Sequence, residues 1–316
     1  MPSLVTLGEL CAVFEARETG RMRYCRDYTL RPGGAEATVA VGVVRLGFDA
    51  GWISLFGKDE IGHHLLNLLR GEGVDTRCVK MIPGRNTSVF LREKLPGGNA
   101  RHYYYRKDSA FTTIAPDMLD EDYIASAKLL HLTGITPALS DSAEATMWRA
   151  IEIARAHGVK VVFDPNVRLS IWSREKARAS IEKFLAATDI VLPGLEDLQM
   201  LYGQISREEA LLRLKDLGCS NIIMKIGDQE VLVYTEGHAT FIPVDHIASP
   251  VDLMGAGDSF AAGFLAGLLR GEDMVEAARL GNIVARCAIQ MPGNIESLPT
   301  WEEVSRVISK EVVYNR

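Results

Sequence analysis

The 316-residue sequence has few of the features that mark secreted, membrane or nucleic-acid-binding proteins. Its five cysteines are scattered, odd in number and without Cys-x-x-Cys spacing, which indicates neither a zinc site nor a disulfide framework. No apolar run approaches membrane-spanning length, and no basic segment followed by an apolar one opens the chain. With 35 Lys and Arg against 41 Asp and Glu, no basic stripe suits a nucleic acid. We therefore expect a cytoplasmic protein that binds neither membrane nor nucleic acid.

What the sequence does contain is a regular alternation of short apolar runs and amphipathic segments. It begins with the strand-like run Leu4–Leu7, and no repeat or long linker divides the chain. This rhythm predicts an α/β protein whose mostly parallel sheet is covered by helices on both faces. We expect later strands at Leu129–Leu132, Lys160–Phe163, Ile190–Leu192 and Asn221–Lys225, an antiparallel pair at Val231–Tyr234 and Ala239–Pro243, and helices at Ser140–Ala156, Arg174–Ala186, Arg207–Leu217, Met274–Ile289 and Thr300–Ser309.

Two excursions, 11–31 and 87–107, interrupt the alternation and have strand-like composition. In the second, Ser88–Leu95 and Arg101–Tyr105 flank the turn sequence Pro96-Gly97-Gly98-Asn99, which predicts a hairpin. We expect the two excursions to pair into a small β-sheet lid. The cluster Tyr103–Lys107 fits either plain strand packing with a solvated cationic end, or a wall that grips a polyhydroxylated anion.

The segment Val251–Phe260 places small residues where a backbone would approach a ligand closely. The apolar run after it has helical spacing, so Gly255-Ala256-Gly257 is predicted to form the first turn of a helix. Free N–H groups in such a turn favour an anion, usually phosphate. Asp258 is either an ordinary helix cap or a base held beside a phosphoryl group. A second glycine pair, Gly33-Gly34, opens a second predicted helix.

Polar residues follow the predicted strands at the edge where open α/β sheets bind ligands. Any one of these strand ends can be turn chemistry alone, and Asp164-Pro165-Asn166 has turn composition. Six such ends beside two glycine-opened helices nevertheless indicate a ligand site. The six ends carry Gly8-Glu9, Thr133-Gly134, Asp164–Arg168, Pro193–Glu196, Lys225–Gly227 and Asp252.

These residues match two motifs of the PfkB, or ribokinase-like, carbohydrate kinases, which the chain resembles over essentially its whole length. The N-terminal motif corresponds to 33–36, Gly47 and 57–62, and the more specific C-terminal motif to 252–260 followed by Gly263. Within the family the chain is most similar to the 2-keto-3-deoxygluconate kinases. The segments that carry this similarity are 33–36, Tyr103–Ala110, Gly134–Ser140, and Asp164–Arg168 with Trp172.

The resemblance implies a ribokinase-like, three-layer αβα fold with a mostly parallel central sheet and a small β-sheet lid, in one domain over 1–316. It implies transfer of a phosphoryl group from ATP to the 6-hydroxyl of 2-keto-3-deoxygluconate, with Mg²⁺ accompanying the ATP phosphates. A monovalent cation such as K⁺ is a further cofactor that the resemblance allows. Because a lid exposes a sheet edge and apolar faces, we expect a homodimer formed through it.

The resemblance also assigns roles to single residues. Asp258 takes the proton from the acceptor hydroxyl, while Gly255, Ala256 and Gly257 hold the charge that develops on the phosphoryl group. Arg106 and Arg168 suit a sugar-acid carboxylate, although either can instead touch ATP. The implied substrate residues are Gly33, Gly34, Phe90, Tyr105, Arg106, Arg168 and Asp258. The implied nucleotide residues are Asn166, Arg168, Glu196, Lys225, Gly227, Asp228, Gly255 and Gly257, and Glu196 also binds the metal through water.

The chain departs from the family pattern at five places, one of which is Leu253-Met254, where a residue with a hydroxyl usually precedes Gly-Ala-Gly-Asp. Thr38 stands where many relatives have Asn, and Gly194 replaces the Asn that starts an Asn-x-x-Glu motif. Glu230 ends the nucleotide loop, and Phe90 stands where a tyrosine is expected. Two alternatives therefore accompany the sugar-acid kinase: a fructokinase or other sugar kinase of the same fold, and a sugar-acid-binding protein that has lost turnover.

Overall fold

A nine-stranded sheet forms the centre of the computed structural model, which describes residues 1–309. Numbered along the chain, its strands are β1 (Leu4–Leu7), β4 (Ala50–Gly57), β5 (Val79–Ile82), β8 (Leu129–Thr133), β9 (Lys160–Asp164), β10 (Ile190–Val191), β11 (Ile222–Ile226), β12 (Glu230–Thr235) and β13 (His238–Pro243). They lie in the order β13-β12-β11-β10-β9-β8-β1-β4-β5. The strands from β11 to β5 in that order run parallel, while β12 and β13 are antiparallel to their neighbours. The central strands β1, β4 and β8 are buried along their whole length, which explains their apolar sequences.

A second, four-stranded sheet forms the lid. Its strands are β2 (Cys11–Thr19), β3 (Tyr28–Gly33), β6 (Val89–Lys94) and β7 (Ala100–Tyr105), in the order β3-β2-β6-β7. Strand β2 pairs in parallel with β6, so the two excursions join into one sheet as predicted, and β6 and β7 form the predicted hairpin. The first excursion extends to Gly33 because β3 continues to the residue before the cap of the next helix.

Ten helices cover the central sheet within residues 1–309. They are α1 (Ala35–Arg45), α2 (Glu60–Gly71), α3 (Glu121–Ala125), α4 (Asp141–Ala156), α5 (Arg174–Ala186), α6 (Leu195–Tyr202), α7 (Arg207–Asp216), α8 (Ala256–Arg270), α9 (Met274–Ala288) and α10 (Trp301–Ser309). One apolar core lies between the sheet and α3 to α7, and the other between the sheet and α1, α2, α8 and α9. The predicted three-layer α/β architecture with a smaller second sheet is confirmed.

Local sequence accounts for most of the helix starts. Ser140 caps α4 by accepting a 3.1 Å hydrogen bond from the N–H of Ala143, and Asp59 caps α2 by accepting a 2.7 Å bond from Gly62. Strand β5 and helices α3 and α6 were not predicted, because elements of four to eight residues show too few turns of a periodic pattern.

Two features of the structure concern disulfide formation and membrane insertion: the cysteines and the longest apolar helices. Cys11 and Cys219 are buried, the other three cysteines are partly exposed, and each of the five is a free thiol. No helix within residues 1–309 combines the length and the apolar character needed to cross a membrane.

Candidate active site at the start of helix α8

Gly255 sets the backbone geometry at the start of α8. Its φ of 80° lies in the left-handed region, and a Cβ there would fall 1.8 Å from Oδ1 of Asn294. The position therefore requires glycine for two independent reasons. Gly255 is the residue before the helix, which begins at Ala256, so the sequence prediction placed the helix start one residue too early.

Gly257, in the first turn of α8, leaves space in front of the helix. The nearest atom to a Cβ built on it is Nζ of Lys225, at an ordinary contact distance of 3.7 Å. Glycine is thus not required here by the packing of the described residues. The first N–H groups of a helix have no partner within the helix. Here the N–H of Ala256 donates to the carbonyl of Leu253 at 3.3 Å, and beside Gly257 there is room for a further group. This is the geometry of an anion site.

Asp258 lies in the same turn and is partly exposed. Its Oδ1 accepts a 3.4 Å hydrogen bond from Nδ2 of Asn166. Burial of the carboxylate raises its pKa to about 6, and the charge of Asp164 adds to this rise, whereas Arg168 and Lys225 oppose it. The group is therefore mostly ionised at pH 7 and still able to accept a proton.

The ends of β9 and β11 together bring three polar groups to the neighbourhood of Asp258. Asp164 accepts a 2.6 Å ion-pair hydrogen bond from Nζ of Lys225, at the end of β11, and a 3.0 Å bond from the N–H of Asn166. Asn166 itself adopts a left-handed φ of 36°. The segment is thus a turn, and the turn also places Asn166 in the site. Oδ1 of Asn166 is buried without a hydrogen-bond partner among the described residues.

The structure places Asp197 in the site rather than the predicted Glu196. Glu196 is exposed, whereas the Asp197 carboxylate accepts hydrogen bonds from the N–H groups of Val167 (2.8 Å) and Gly194 (3.1 Å). Burial raises the pKa of Asp197, and the nearby charge of Asp164 adds to it. An Asn-x-x-Glu motif that starts at 194 ends at 197, so the motif spacing itself identifies this residue.

The lid faces the site with Tyr104, not with the predicted Tyr105. Phe90 and Tyr104 are paired across β6 and β7 with ring centroids 5.2 Å apart, and they pack on Cys11 and Val13. Successive side chains of a strand point to opposite faces, so Tyr105 lies on the outer face, where it is 67% exposed. Tyr105 therefore lies on the face opposite to Phe90 and Tyr104, which does not fit its assignment to the substrate, and the assignment of Phe90 stays a prediction.

Gly33 and Gly34 allow close packing at the base of the lid. A Cβ on Gly33 would lie 2.5 Å from Cγ2 of Val13 and 3.0 Å from the Phe90 ring. A Cβ on Gly34 would lie 2.4 Å from the carbonyl oxygen of Glu9. Both glycines therefore bring the start of α1 against the site-facing side of the lid.

Arg106 is already paired within the protein. Its Nε donates to Oε2 of Glu9 at 2.8 Å and its Nη2 lies 2.5 Å from the same oxygen, while Ser109 donates to Oε1 at 2.7 Å. The arginine and the glutamate are both largely buried. One edge of the guanidinium fork is therefore used by Glu9, and the charge that was expected to meet a substrate is neutralised.

Arg168 differs from Arg106 in its exposure and in its charge partners. It is exposed, its Nη1 donates to the carbonyl of Val167 at 3.1 Å, and no ion pair forms with it within residues 1–309. Its charge opposes the effect of burial on the pKa of Asp258 and of Tyr104, and it adds to the effect of burial on the pKa of His102. Arg168 is thus near enough to the candidate base and to the inner face of the lid for its charge to act on both.

The predicted nucleotide residues are divided between the site and its rim. Lys225 is in the site, and Gly227 forms a left-handed turn with φ 55° directly after β11. Asp228 is mostly exposed and lies 3.5 Å from His246, away from the groups around Asp258. Glu230 is paired with Arg207, which accounts for the departure at that position.

The side chain of Thr38, one of the departures from the family pattern, bonds within its own helix. The hydroxyl of Thr38 donates to the carbonyl of Gly34 at 2.8 Å, a bond to the preceding helical turn. Within residues 1–309 no group of three or more His, Cys, Asp or Glu side chains is arranged to hold a metal ion.

Comparison with protein families and curated proteins gives a consistent result. A family model described as pfkB family carbohydrate kinase matches residues 1–301. A 2-dehydro-3-deoxygluconokinase of Bacillus subtilis (strain 168) is 33% identical, over 97% of this chain and 95% of the relative. A 2-dehydro-3-deoxygluconokinase of Thermoproteus tenax is also 33% identical, over 98% of this chain and 94% of the relative.

Solved structures agree with the fold. A PfkB protein from Polaromonas sp. JS666 is 30% identical and superposes with a TM-score of 0.88 over 96% of this chain and 99% of the other. An uncharacterized sugar kinase from Pyrococcus horikoshii, solved in complex with ATP, is 26% identical, with a TM-score of 0.81 over 95% of this chain and 96% of the other.

Proposed function

The chain belongs to the pfkB family of carbohydrate kinases, and from this premise we propose that its substrate is 2-keto-3-deoxygluconate, also called 2-dehydro-3-deoxygluconate. The reaction transfers the γ-phosphoryl group of ATP to the 6-hydroxyl and yields the 6-phosphate and ADP. Two relatives that match almost the whole chain carry the name of this activity. The observation in this molecule that carries the choice is the exposed Arg168 beside Asp258.

Asp258 acts on the acceptor hydroxyl. Its carboxylate takes the proton as the hydroxyl oxygen attacks phosphorus, and the oxygen bridging to ADP leaves with the electron pair. The N–H groups of the first turn of α8 stabilise the charge on the transferred phosphoryl group. Asn166 donates to Asp258 and holds it in place. Lys225, whose Nζ is paired with Asp164 and lies near Gly257, is the cation next to the space assigned to the phosphates.

Arg168 gives the site its selectivity for a sugar that carries a carboxylate. An exposed guanidinium without an ion-pair partner in the described residues can meet a carboxylate with two parallel N–H···O bonds, whereas a neutral sugar leaves it unpaired. Arg106 supports the lid instead, because Glu9 holds its charge. Phe90, Tyr104 and the backbone at Gly33 would line the sugar side of the cleft.

ATP and Mg²⁺ fit the residues present. The unfilled space at Gly257 suits a phosphate group. The absence of a three-ligand cluster in residues 1–309 suits a cation held mainly by nucleotide phosphates, with Asp164 and Asp197 as the nearby carboxylates. When bound, Mg²⁺ would neutralise phosphate charge. A requirement for a monovalent cation such as K⁺ is tested by comparing the rate in potassium and tetramethylammonium chloride.

The outer face of the lid supports a homodimer. Tyr105 (67% exposed), Leu30 (39%) and Tyr103 (37%) lie on this face beside Leu91, and a second copy of the lid would cover them. A monomeric mass at micromolar concentration, together with full activity, would contradict this proposal. The proposed location is the cytoplasm, tested by cell fractionation.

The substrate is tested with a coupled ADP-release assay over a panel of sugars and sugar acids at saturating ATP. We expect the highest kcat/KM for 2-keto-3-deoxygluconate. A preference for fructose would replace the sugar-acid kinase with a fructokinase. Binding of the sugar acid without ADP release would indicate a protein that has lost turnover.

A further inference from the structure

The guanidinium of Arg92 links the lid to the loop that precedes α8. It projects from β6, and its Nη1 and Nη2 contact the two carboxylate oxygens of Asp252 at 2.8 and 2.7 Å. Nη1 also donates to Oε2 of Glu15, on the neighbouring lid strand, at 2.6 Å. The side chains of Arg92, Asp252 and Glu15 are only 11%, 6% and 3% exposed. This is a bidentate, largely buried contact across 160 residues of sequence.

Asp252 in turn holds the backbone that leads into α8. Its Oδ1 accepts a 3.0 Å bond from the N–H of Met254, the residue before Gly255. Its Oδ2 lies 3.3 Å from the N–H of Gly293, in the segment that passes behind the start of the helix. Burial raises the pKa of Asp252, but the bonds from Arg92 and Met254 outweigh it and hold the pKa below its usual value. Asp252 therefore stays ionised and fixes the loop.

These contacts connect the part of the proposed site that binds the sugar with the part that binds the phosphoryl group of ATP. The lid covers the sugar side, and the start of α8 holds the phosphoryl group. Because Arg92 and Asp252 meet with two oxygens and two nitrogens, the contact fixes direction as well as distance. A lid displaced by about 1 Å would break it, and catalysis is sensitive to displacements of that size.

We propose that Arg92 is a positioning residue that, through Asp252, aligns the sugar-binding lid with the anion-binding turn of α8. The proposal rests on the proposed kinase function. It adds that this alignment determines whether the acceptor hydroxyl or water attacks the phosphoryl group. When lid and turn are aligned, the acceptor hydroxyl is the nucleophile that reaches the phosphoryl group. When they are not, water can take its place.

The test compares Arg92→Gln, the conservative Arg92→Lys, Asp252→Asn and the double variant Arg92→Gln/Asp252→Asn. For each, kcat, sugar phosphate formed per ADP released, and the thermal midpoint are measured with the panel sugar that wild type phosphorylates fastest. We expect kcat to fall about 10- to 100-fold in Arg92→Gln and in Asp252→Asn, because misalignment of the reacting groups is this costly. Sugar phosphate per ADP should fall as well, and Arg92→Lys should lie between Arg92→Gln and wild type.

The double variant decides whether the two residues act together. We expect it to be no slower than the worse single variant, since both changes break the same contact. The matched control is Arg178→Gln, which removes a paired arginine charge from the surface of α5, away from the lid and α8, where Arg178 is 48% exposed and its Nε lies 2.8 Å from Glu182. It should behave like wild type.

Three results would overturn the proposal: additive losses in the double variant, an unchanged ratio of sugar phosphate to ADP, or a lower thermal midpoint with normal kcat. A wild type that is fastest on another sugar would overturn the proposed substrate alone, because the alignment is then tested with that sugar.

Discussion

Helices α1 and α8 both start after a glycine and both carry a carboxylate in the first turn, yet their surroundings differ. Glu36 of α1 is buried and accepts hydrogen bonds from the hydroxyls of Thr133 (2.6 Å) and Thr136 (3.0 Å). Asp258 of α8 is partly exposed and accepts a 3.4 Å bond from Asn166. Burial is the largest cause that raises the pKa of both groups, to about 7 for Glu36 and about 6 for Asp258.

The glycines at the two helix starts serve different purposes. A Cβ on Gly34 would fall 2.4 Å from a backbone oxygen, so this glycine allows packing. A Cβ on Gly257 would meet its nearest neighbour at 3.7 Å, so this glycine leaves a space. A helix start becomes a ligand site when the chain does not fill the volume in front of its N–H groups. By this criterion α8 is the helix start that leaves room for a ligand, whereas the start of α1 is filled by packing.

Asp258→Asn should cause the largest loss of activity and so distinguish α8 from α1 most clearly. Asn can still accept hydrogen bonds but cannot take a proton, so we expect kcat to fall about 100-fold or more with fold and nucleotide binding retained. Steady-state kinetics, circular dichroism and ATP titration measure these three properties. Glu36→Gln is the matched control and should change kcat far less. Near wild-type kcat in Asp258→Asn would remove the base assignment.

Gly257→Ala tests whether the space beside the first turn of α8 holds a phosphate of ATP. The added methyl fits the protein but enters the space assigned to ATP, so we expect an unchanged thermal midpoint and a KM for ATP raised about tenfold, equivalent to about 1.4 kcal/mol. Gly255→Ala should instead unfold at lower temperature, because the left-handed backbone and the clash with Asn294 are both unfavourable. Wild-type KM for ATP in Gly257→Ala would argue against phosphate at this turn.

The pH dependence of kcat/KM reports the ionisation of Asp258 in the free enzyme. Because the active form is the carboxylate and its pKa is raised to about 6, kcat/KM should fall about tenfold per pH unit below that value. Arg168 opposes the rise, so Arg168→Leu should move the acidic limb to higher pH. A limb that is not displaced in this variant would place Arg168 outside the field of the base.

A smaller effect concerns stability. The pKa of Asp258 is higher in the folded protein than in the unfolded chain, so its stabilising contribution is complete below about pH 4 and is lost as pH rises through about 6. Asp258→Asn, which cannot ionise, should therefore have a higher thermal midpoint than wild type at pH 7.5 and a similar one near pH 4. An equal difference at both pH values would contradict the raised pKa.

The periodic parts of the chain were predictable from sequence, and the pairing of polar side chains was not. The runs β1 and α5 were predicted at their observed bounds because their patterns are long or fully apolar. Tyr105 was chosen over Tyr104 because a run of aromatics does not show which face of a strand is inward. Strand register decides this, and register depends on the partner strand.

Ion pairs between distant segments explain most of the other differences between the sequence-based predictions and the structure. Nothing local indicates that Glu9 neutralises Arg106, which is 97 residues away, or that Arg92 meets Asp252 across 160 residues. Asp197 was predictable, since counting three residues from Gly194 reaches it. Chemistry that resides in one short segment, such as Gly255–Asp258, is visible in sequence, whereas contacts between distant segments require the fold.

The sugar-acid assignment is tested by the ratio of kcat/KM for 2-keto-3-deoxygluconate to that for fructose, measured at saturating ATP in wild type and in Arg168→Leu. The variant loses a charge-assisted bidentate contact of about 1.5–3 kcal/mol, so kcat/KM for the sugar acid should fall roughly ten- to a hundredfold while fructose changes little. Arg106→Leu is measured in parallel, and because it leaves Glu9 buried and unpaired it should lower stability and activity on both sugars. Equal losses on the two substrates in Arg168→Leu would place this arginine at the nucleotide, and a wild-type preference for fructose would contradict the sugar-acid assignment.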